Sequence, residues 1–318
     1  MHTIETISLT APGECAIAVE VMDAKDIIAD VVQEPDARRR ALIAEIEKLT
    51  KRPVLNYSAT AWGSPNEIMH HGDIINLTRV MSKKPDVKGV DLILNSPGGL
   101  PEVAEKIITM LRHYFDDDLR VIVPESAKSA ATIVALGADE ILMGFCSELG
   151  PIDPQILVST DAQGRGVFRS AHAIIQSVDS YVTKVHEAIA KNEPFEAYLR
   201  LLDSKPDLAF VEECRLAQRL SVELATRWLK AKMLKDNPKK AEETAEALSR
   251  ADKLFSHGRA LHYRYAIDEL GLKVTYLPPE DRLWKKVWEL HVRGHWTMLQ
   301  NRFSKLIESA STTLSFNA

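Results

Sequence analysis

The apolar positions divide this chain into a centre of short, uninterrupted hydrophobic runs and a long C-terminal stretch of helical periodicity. The runs Val90–Leu94 (VDLIL), Leu119–Val123 (LRVIV) and Glu140–Met143 read as strands buried on both faces. Between the first two, Asn95-Ser96-Pro97-Gly98-Gly99 is a sharp turn. Pro101 then stands where a first helical residue belongs, with Glu102 favourable in the first turn. Val103, Ile107, Ile108 and Leu111 give that helix its buried stripe. After the second run come Pro124, the segment Glu125–Thr132 and a short helix through Leu136. This β-turn-helix-β-turn-helix-β progression predicts an α/β fold with a parallel sheet and right-handed crossovers.

The flanks are read in the same way. A strand is expected near Cys15–Val21, a charged helix over Asp36–Lys51 ended by Pro53, and a strand over Pro53–Tyr57. A loop follows over Ala59–Glu67, then a helix over Asp73–Met81. Beyond a loop at Ser147–Gln155, helices are predicted near Ser170–Lys191, Leu208–Lys235 (capped by Asp207) and Lys239–Lys253. Ser256 would cap a further helix ending near Leu270, with Gly271 where a C-terminal glycine belongs, and Leu272–Leu277 reads as a last strand. A long helix over Asp281–Ser309 carries Trp284, Trp288, Val292, Trp296, Leu299, Phe303 and Leu306 on one stripe. That stripe suits packing on its own domain, and equally a second copy or a protein partner. The division expected is an N-terminal extension over 1–52, a central α/β domain over 53–277 with a helical insertion at about 170–253, and the helix of 278–318.

Composition narrows the classes. The formal net charge of -5 provides no basic footprint for nucleic acid. Cys15, Cys146 and Cys214 are far apart and odd in number, which predicts neither a disulfide framework nor a zinc site and fits a reducing compartment. The first residues lack the charge-then-apolar pattern of a secretory leader, and no run approaches the roughly 20 apolar residues of a spanning helix. A cytoplasmic protein without a membrane anchor is expected. No cofactor is expected, and a metal reading of His70-His71 lacks partner ligands at a supporting spacing.

The chemistry is predicted at the ends of neighbouring parallel strands, where an open α/β sheet places its ligand. Ser129 stands at a strand-to-helix turn, which exposes a nucleophile at a helix N-terminus whose N–H groups and dipole favour developing negative charge. Gly98 and Gly99 can bring unhindered backbone to the same point, and the Ala130 N–H would be a second oxyanion donor. Serine beside alanine, or Ser-Pro-Gly-Gly alone, is common in ordinary turns; the signal lies in their combination across one crossover helix.

LILNSPGGLPEVAEKI followed by VPESAKSAATIVALGADEILM resembles the core of the Clp protease/signal peptide peptidase A/crotonase superfamily, and SELGPIDPQ narrows the resemblance to the serine dehydrogenase proteinase family. It is specific over about Asp73–Gln155 and continues loosely through FSHGRALHYRYAIDELGLKV. It implies a Clp/crotonase-like spiral core followed by a mainly helical C-terminal region, a peptide or protein substrate and a homo-oligomer. The family's small-residue segment usually reads Ser-Gly-Gly-Thr; here it is Ser129-Ala130-Ala131-Thr132, and the two added methyls narrow the cleft. The family's Ser-Asp-His order maps Asp153 and His257 as partners of Ser129. Without the resemblance, Asp153 is equally a turn residue between prolines, and His257 an early residue of a helix capped by Ser256. The signal peptide peptidase A branch uses a Ser-Lys dyad instead, for which Lys184 is the candidate base if burial lowers its pKa. Lys191, His172 and His186 stand in reserve, and Lys128 is expected to point away from the site. Two other readings stay open: an inactive Clp-like scaffold that binds a protein, and a crotonase-like acyl-CoA enzyme.

Overall fold

The computed structural model describes residues 35–61, 65–82, 87–160, 166–203, 207–254 and 256–318. The strand expected near Cys15–Val21 lies outside them. Helix α1 (Pro35–Thr50) leads into β1 (Val54–Ala59), and α2 (Gly72–Val80) into β2 (Val90–Asn95). Helix α3 (Pro101–Tyr114) then connects to β3 (Leu119–Val123). A two-residue strand β4 (Ser126–Ala127), helix α4 (Ala130–Leu136), β5 (Glu140–Met143) and a second two-residue strand β6 (Glu148–Leu149) complete the core. Every residue of β1 and β2 is buried, as in strands covered on both faces, including the polar Asn56 and Ser58 of β1. The one charge in β2, Asp91, is fully buried between Arg52 (2.8 Å) and Arg120 (2.7 Å). Pro101 opens α3, and Val103, Ile107, Ile108 and Leu111 are its buried face.

The rest of the chain is a β7 (Gln155–Thr160) and β8 (Gly166–Ser170) hairpin, then α5 (Ala171–Lys191), α6 (Glu196–Asp203), α7 (Leu208–Ala231), α8 (Pro238–Ser249) and α9 (Ala251–Leu254). After these come β9 (Leu261–His262), α10 (Tyr263–Asp268), β10 (Val274–Tyr276), α11 (Arg282–Asn301), β11 (Phe303–Glu308) and β12 (Thr313–Asn317). Asp207 caps α7 as expected, its carboxylate accepting from the Ala209 N–H at 3.0 Å. The main sheet has the order β10-β5-β3-β2-β1-β11-β12. Its pairs from β10 to β1 are parallel, while β11 and β12 add antiparallel. Alternate residues of the central strands serve two layers. Ile93, Ile122 and Leu142 pack with α1 and α11; Leu92, Val121, Ile141 and Met143 pack with α3, α4 and α7.

Four expectations are corrected here. Ser147–Gln155 is not all loop, since β6 pairs with β4 and β9; two-residue strands are too short to show a period. The β7–β8 hairpin before α5 was not expected, because its alternation is broken by a register shift between Leu157 and Ser159. Ser256 caps no helix: its Oγ accepts from the Gly258 N–H at 3.1 Å, closing a tight turn, and α10 begins only at Tyr263. The last helix ends at Asn301, where Arg302 turns left-handed (φ 55°, ψ 40°) and the chain enters β11. Its buried face is Trp284, Val287, Leu290, Gly294, Thr297 and Met298, so the expected tryptophan stripe is rotated and Phe303 and Leu306 belong to a strand.

Candidate active site

The site is built where β2, β3 and β5 end. Beyond Asn95, the chain continues as a bridge between Ser96 and Ala127, with the Ser96 N–H donating to Ser126 O at 2.9 Å and the Lys128 N–H to Ser96 O at 3.0 Å. The Asn95 side chain reinforces this, its Oδ1 accepting from the Ser126 N–H at 2.9 Å. The Gly98 turn and the Ser129 turn are thereby fastened side by side.

Ser129 is half-buried at the N-terminus of α4, with φ 52° and ψ -121°, and its hydroxyl does not cap the helix. For a non-glycine residue this is a sparsely populated conformation, of the kind that aims a nucleophile out of a strand-to-helix turn. Among the described residues its Oγ has no hydrogen-bond partner. Gly98 (φ 106°) lies against it: a Cβ there would fall 2.7 Å from Ser129 Cβ and 2.6 Å from Lys128 O. Gly99 (φ 149°) leaves as little room on its other side, where a Cβ would meet Met69 N at 2.3 Å. The Gly98 N–H is spent on Ser96 Oγ at 3.1 Å. The N–H groups of Gly99 and Ala130 have no acceptor among the described residues, so these two remain for a developing oxyanion.

Asp153 and His257, 104 residues apart, are brought together: His257 Nδ1 lies 2.7 Å from Asp153 Oδ1. The carboxylate is fully buried, and its second oxygen accepts from Gln155 Nε2 at 3.0 Å. It is therefore engaged by two side chains and does not cap backbone N–H groups as a turn residue would. His257 sits in the 256–260 loop with a side chain 28% exposed. Thr132 anchors the Asp153 segment to α4. Its Oγ1 donates within reach of Ala127 O (2.7 Å) and Gly150 O (3.0 Å), and accepts from the Gly150 N–H at 3.1 Å.

The other candidates are placed elsewhere. Lys184 is exposed on α5 with its ammonium 4.8 Å from the Tyr181 ring, so the burial a lysine base needs is not provided. Lys191 and His186 are exposed on the same helix. His172 is buried between Gln218 (3.2 Å) and Asp252 (2.8 Å) in the helical region. His70 accepts from the Gly72 N–H at 3.1 Å and approaches Asp73, and no group of three possible metal ligands occurs among the described residues. A cavity of about 1100 Å³ lies between β7, α5, α6 and α7. Its walls, including Leu157, Ile174, Tyr181 and Phe210, do not include the residues around Ser129. Lys128 and Thr132 were not singled out as working residues, because neither type carries a signal of its own beside a serine.

The mixed α/β fold thus carries a strained serine beside two N–H groups without acceptors among the described residues, together with a part-buried histidine paired to a buried aspartate. Residues 57–174 match the family described as ClpP-like SDH-type serine proteinase, which bears out over that stretch the resemblance read from the sequence. The chain is 40% identical over 84 residues to the uncharacterized protein MJ0137 of Methanocaldococcus jannaschii, covering 26% of this chain and 29% of that one. It is 29% identical over 143 residues to MJ1495 of the same organism, covering 45% and 46%. The chain thus spans less than half the length of these relatives. Among solved structures, similarity extends to a serine-to-alanine mutant of the 1510-N membrane-bound stomatin-specific protease (TM-score 0.38, 13% identity, 66% of this chain and 75% of that one). A lysine-to-alanine mutant of that protease with a substrate peptide gives TM-score 0.35 and 13% identity over 77% and 78%. Among the described residues, no helix is long and apolar enough to cross a membrane.

Proposed function

We propose that this chain is a serine peptidase in which Ser129 attacks a peptide carbonyl, His257 is the base and Asp153 orients it. A serine hydroxyl needs a base to take its proton, and a neutral histidine does this through Nε2 when Nδ1–H is donated to a carboxylate. The observation that carries the reading is the 2.7 Å pairing of His257 Nδ1 with the fully buried Asp153, which leaves Nε2 as the working nitrogen. The tetrahedral oxyanion would be held by the Gly99 and Ala130 N–H groups, with the N-terminal end of α4 adding a favourable dipole. In this reading the Ser129–His257 hydrogen bond forms when substrate enters, since catalytic hydrogen bonds are often long or unmade in unliganded enzymes. His257 then returns the proton to the leaving amine, and water completes the cycle by the same route. A cytoplasmic setting and assembly into homo-oligomers belong to the same proposal; light scattering on the purified protein reads the second.

A fluorophosphonate tests the nucleophile, since only an activated serine labels. One adduct is expected on Ser129, none in Ser129→Ala, and labelling slower by on the order of 10⁴-fold in Asp153→Asn, which holds the wrong tautomer. Absence of an adduct on the native protein would favour a binding scaffold. An adduct retained at full rate in His257→Ala and lost in Lys184→Met would move the base to the lysine.

A further inference from the structure

We infer that Lys128 is a positioning residue that sets the His257 loop against Ser129, an inference that rests on the peptidase reading above. The sequence leads one to expect only that this lysine points away from the site. Its side chain is 16% exposed and its ammonium meets three acceptors. Nζ lies 2.5 Å from Glu148 Oε1 and donates to Leu149 O and to Arg259 O, both at 3.3 Å. Those acceptors belong to two different parts of the site. Glu148 and Leu149 form β6, which runs into the Gly150–Asp153 segment; Arg259 is two residues beyond His257.

The stem is fixed as firmly as the head. A Cβ at Gly150 would lie 2.5 Å from Lys128 Cδ, so the glycine provides the groove in which the methylenes lie. The backbone of Lys128 is held too, since its N–H donates to Ser96 O at 3.0 Å and its carbonyl accepts from the Ala131 N–H at 2.9 Å. One residue therefore joins the Gly98 turn, the nucleophile turn, the segment leading to Asp153 and the His257 loop. The 256–260 loop is also held by His257 on Asp153 at 2.7 Å and by the Arg259 guanidinium, which reaches back to Leu254 O at 3.3 Å and lies over the Tyr265 ring, while Ser256 Oγ accepts from the Gly258 N–H within the loop. The β9 pairing with β6 begins just after it, at Leu261. A half-exposed base on such a loop depends on an anchor close to the nucleophile, and supporting side chains of this type govern activity when displacement of about 1 Å costs on the order of 100-fold.

The test compares fluorophosphonate labelling rates across pH for the wild type, Lys128→Met and Lys128→Arg, with Ser129→Ala as the blank. Lys128→Met keeps the stem and removes the donors. It is expected to label Ser129 about 100-fold more slowly and to lose the inflection with pH that a positioned base imposes. Lys128→Arg, which restores a cation at the same point, is expected to recover about tenfold of that loss. Hydrogen exchange should rise in residues 256–262 of Lys128→Met. Labelling at the wild-type rate with the inflection intact overturns the inference. So does a smaller labelled fraction with unchanged rate and inflection, which is the mark of a merely structural role. Should Lys128→Met prove insoluble, Lys128→Gln, which retains a neutral donor, is read against the same two outcomes. A wild type that does not label overturns the peptidase reading and this inference with it; a labelled wild type with an unaltered lysine variant overturns the inference alone.

Discussion

Holding Ser129 at φ 52° and ψ -121° costs about 1–3 kcal/mol for a residue with a Cβ. The surrounding structure over-determines the turn through the Ser96 and Lys128 hydrogen bonds and the close approach of Gly98. Relief of that strain should therefore be measurable. Ser129→Gly is expected to raise the unfolding free energy by about 1 kcal/mol in urea titration while abolishing labelling. An unchanged or lower stability would mean the serine side chain contributes packing that outweighs the strain. At this scale Ser129 was marked out by its strand-to-helix turn, whereas Asp153 and His257 came only through the family resemblance; the structure adds their 2.7 Å pairing across 104 residues. Lys128 and Thr132 were not legible. A lysine is ordinarily a solvated surface charge, and only the three acceptors converging on its Nζ reveal otherwise.

Among the elements, the strands legible in the sequence are those buried on both faces, whose side chains have no polar alternative. The β4, β6 and β9 strands are two residues long and exist only because each pairs with another, so no local pattern announces them. The end of α11 shows a different cause. A helix is usually stopped by glycine in the left-handed conformation, and here Arg302 takes that position, so the stop signal is missing while Phe303 and Leu306 prolong the apparent period. The left-handed conformation costs an ordinary residue about 1 kcal/mol. Arg302→Gly should accordingly stabilise the fold by about 0.5–1 kcal/mol, seen as a rise in denaturation midpoint with an unchanged dependence on denaturant. A fall in stability would show that the arginine side chain, and not its backbone, secures the junction.

The whole molecule is closed by segments far apart in sequence. Glu308 on β11 is fully buried, pairs with the equally buried Arg39 at 2.9 Å, and accepts from Asn56 Nδ2 at 2.9 Å and Thr313 Oγ1 at 3.1 Å. Arg39 also donates to Thr297 at 2.8 Å and reaches Asp36 at 2.7 Å. Helix α1, helix α11, β1 and both C-terminal strands thus meet at one buried ion pair. Glu308→Ala leaves Arg39 without that partner in the interior and is expected to cost about 3–5 kcal/mol in chemical denaturation; a loss under 1 kcal/mol would mean the site admits water. The same closure constrains how the protein is made. Strand β1 stands between β2 and β11, pairing Asn56 with Glu308 across 252 residues. At roughly 5–20 residues per second on a ribosome, the β1 edge would stay unpaired for about 10–50 s after it emerges. During synthesis, then, the buried heart of the sheet is an open strand edge, the kind of surface on which incomplete chains misassociate, until β11 arrives to cover it.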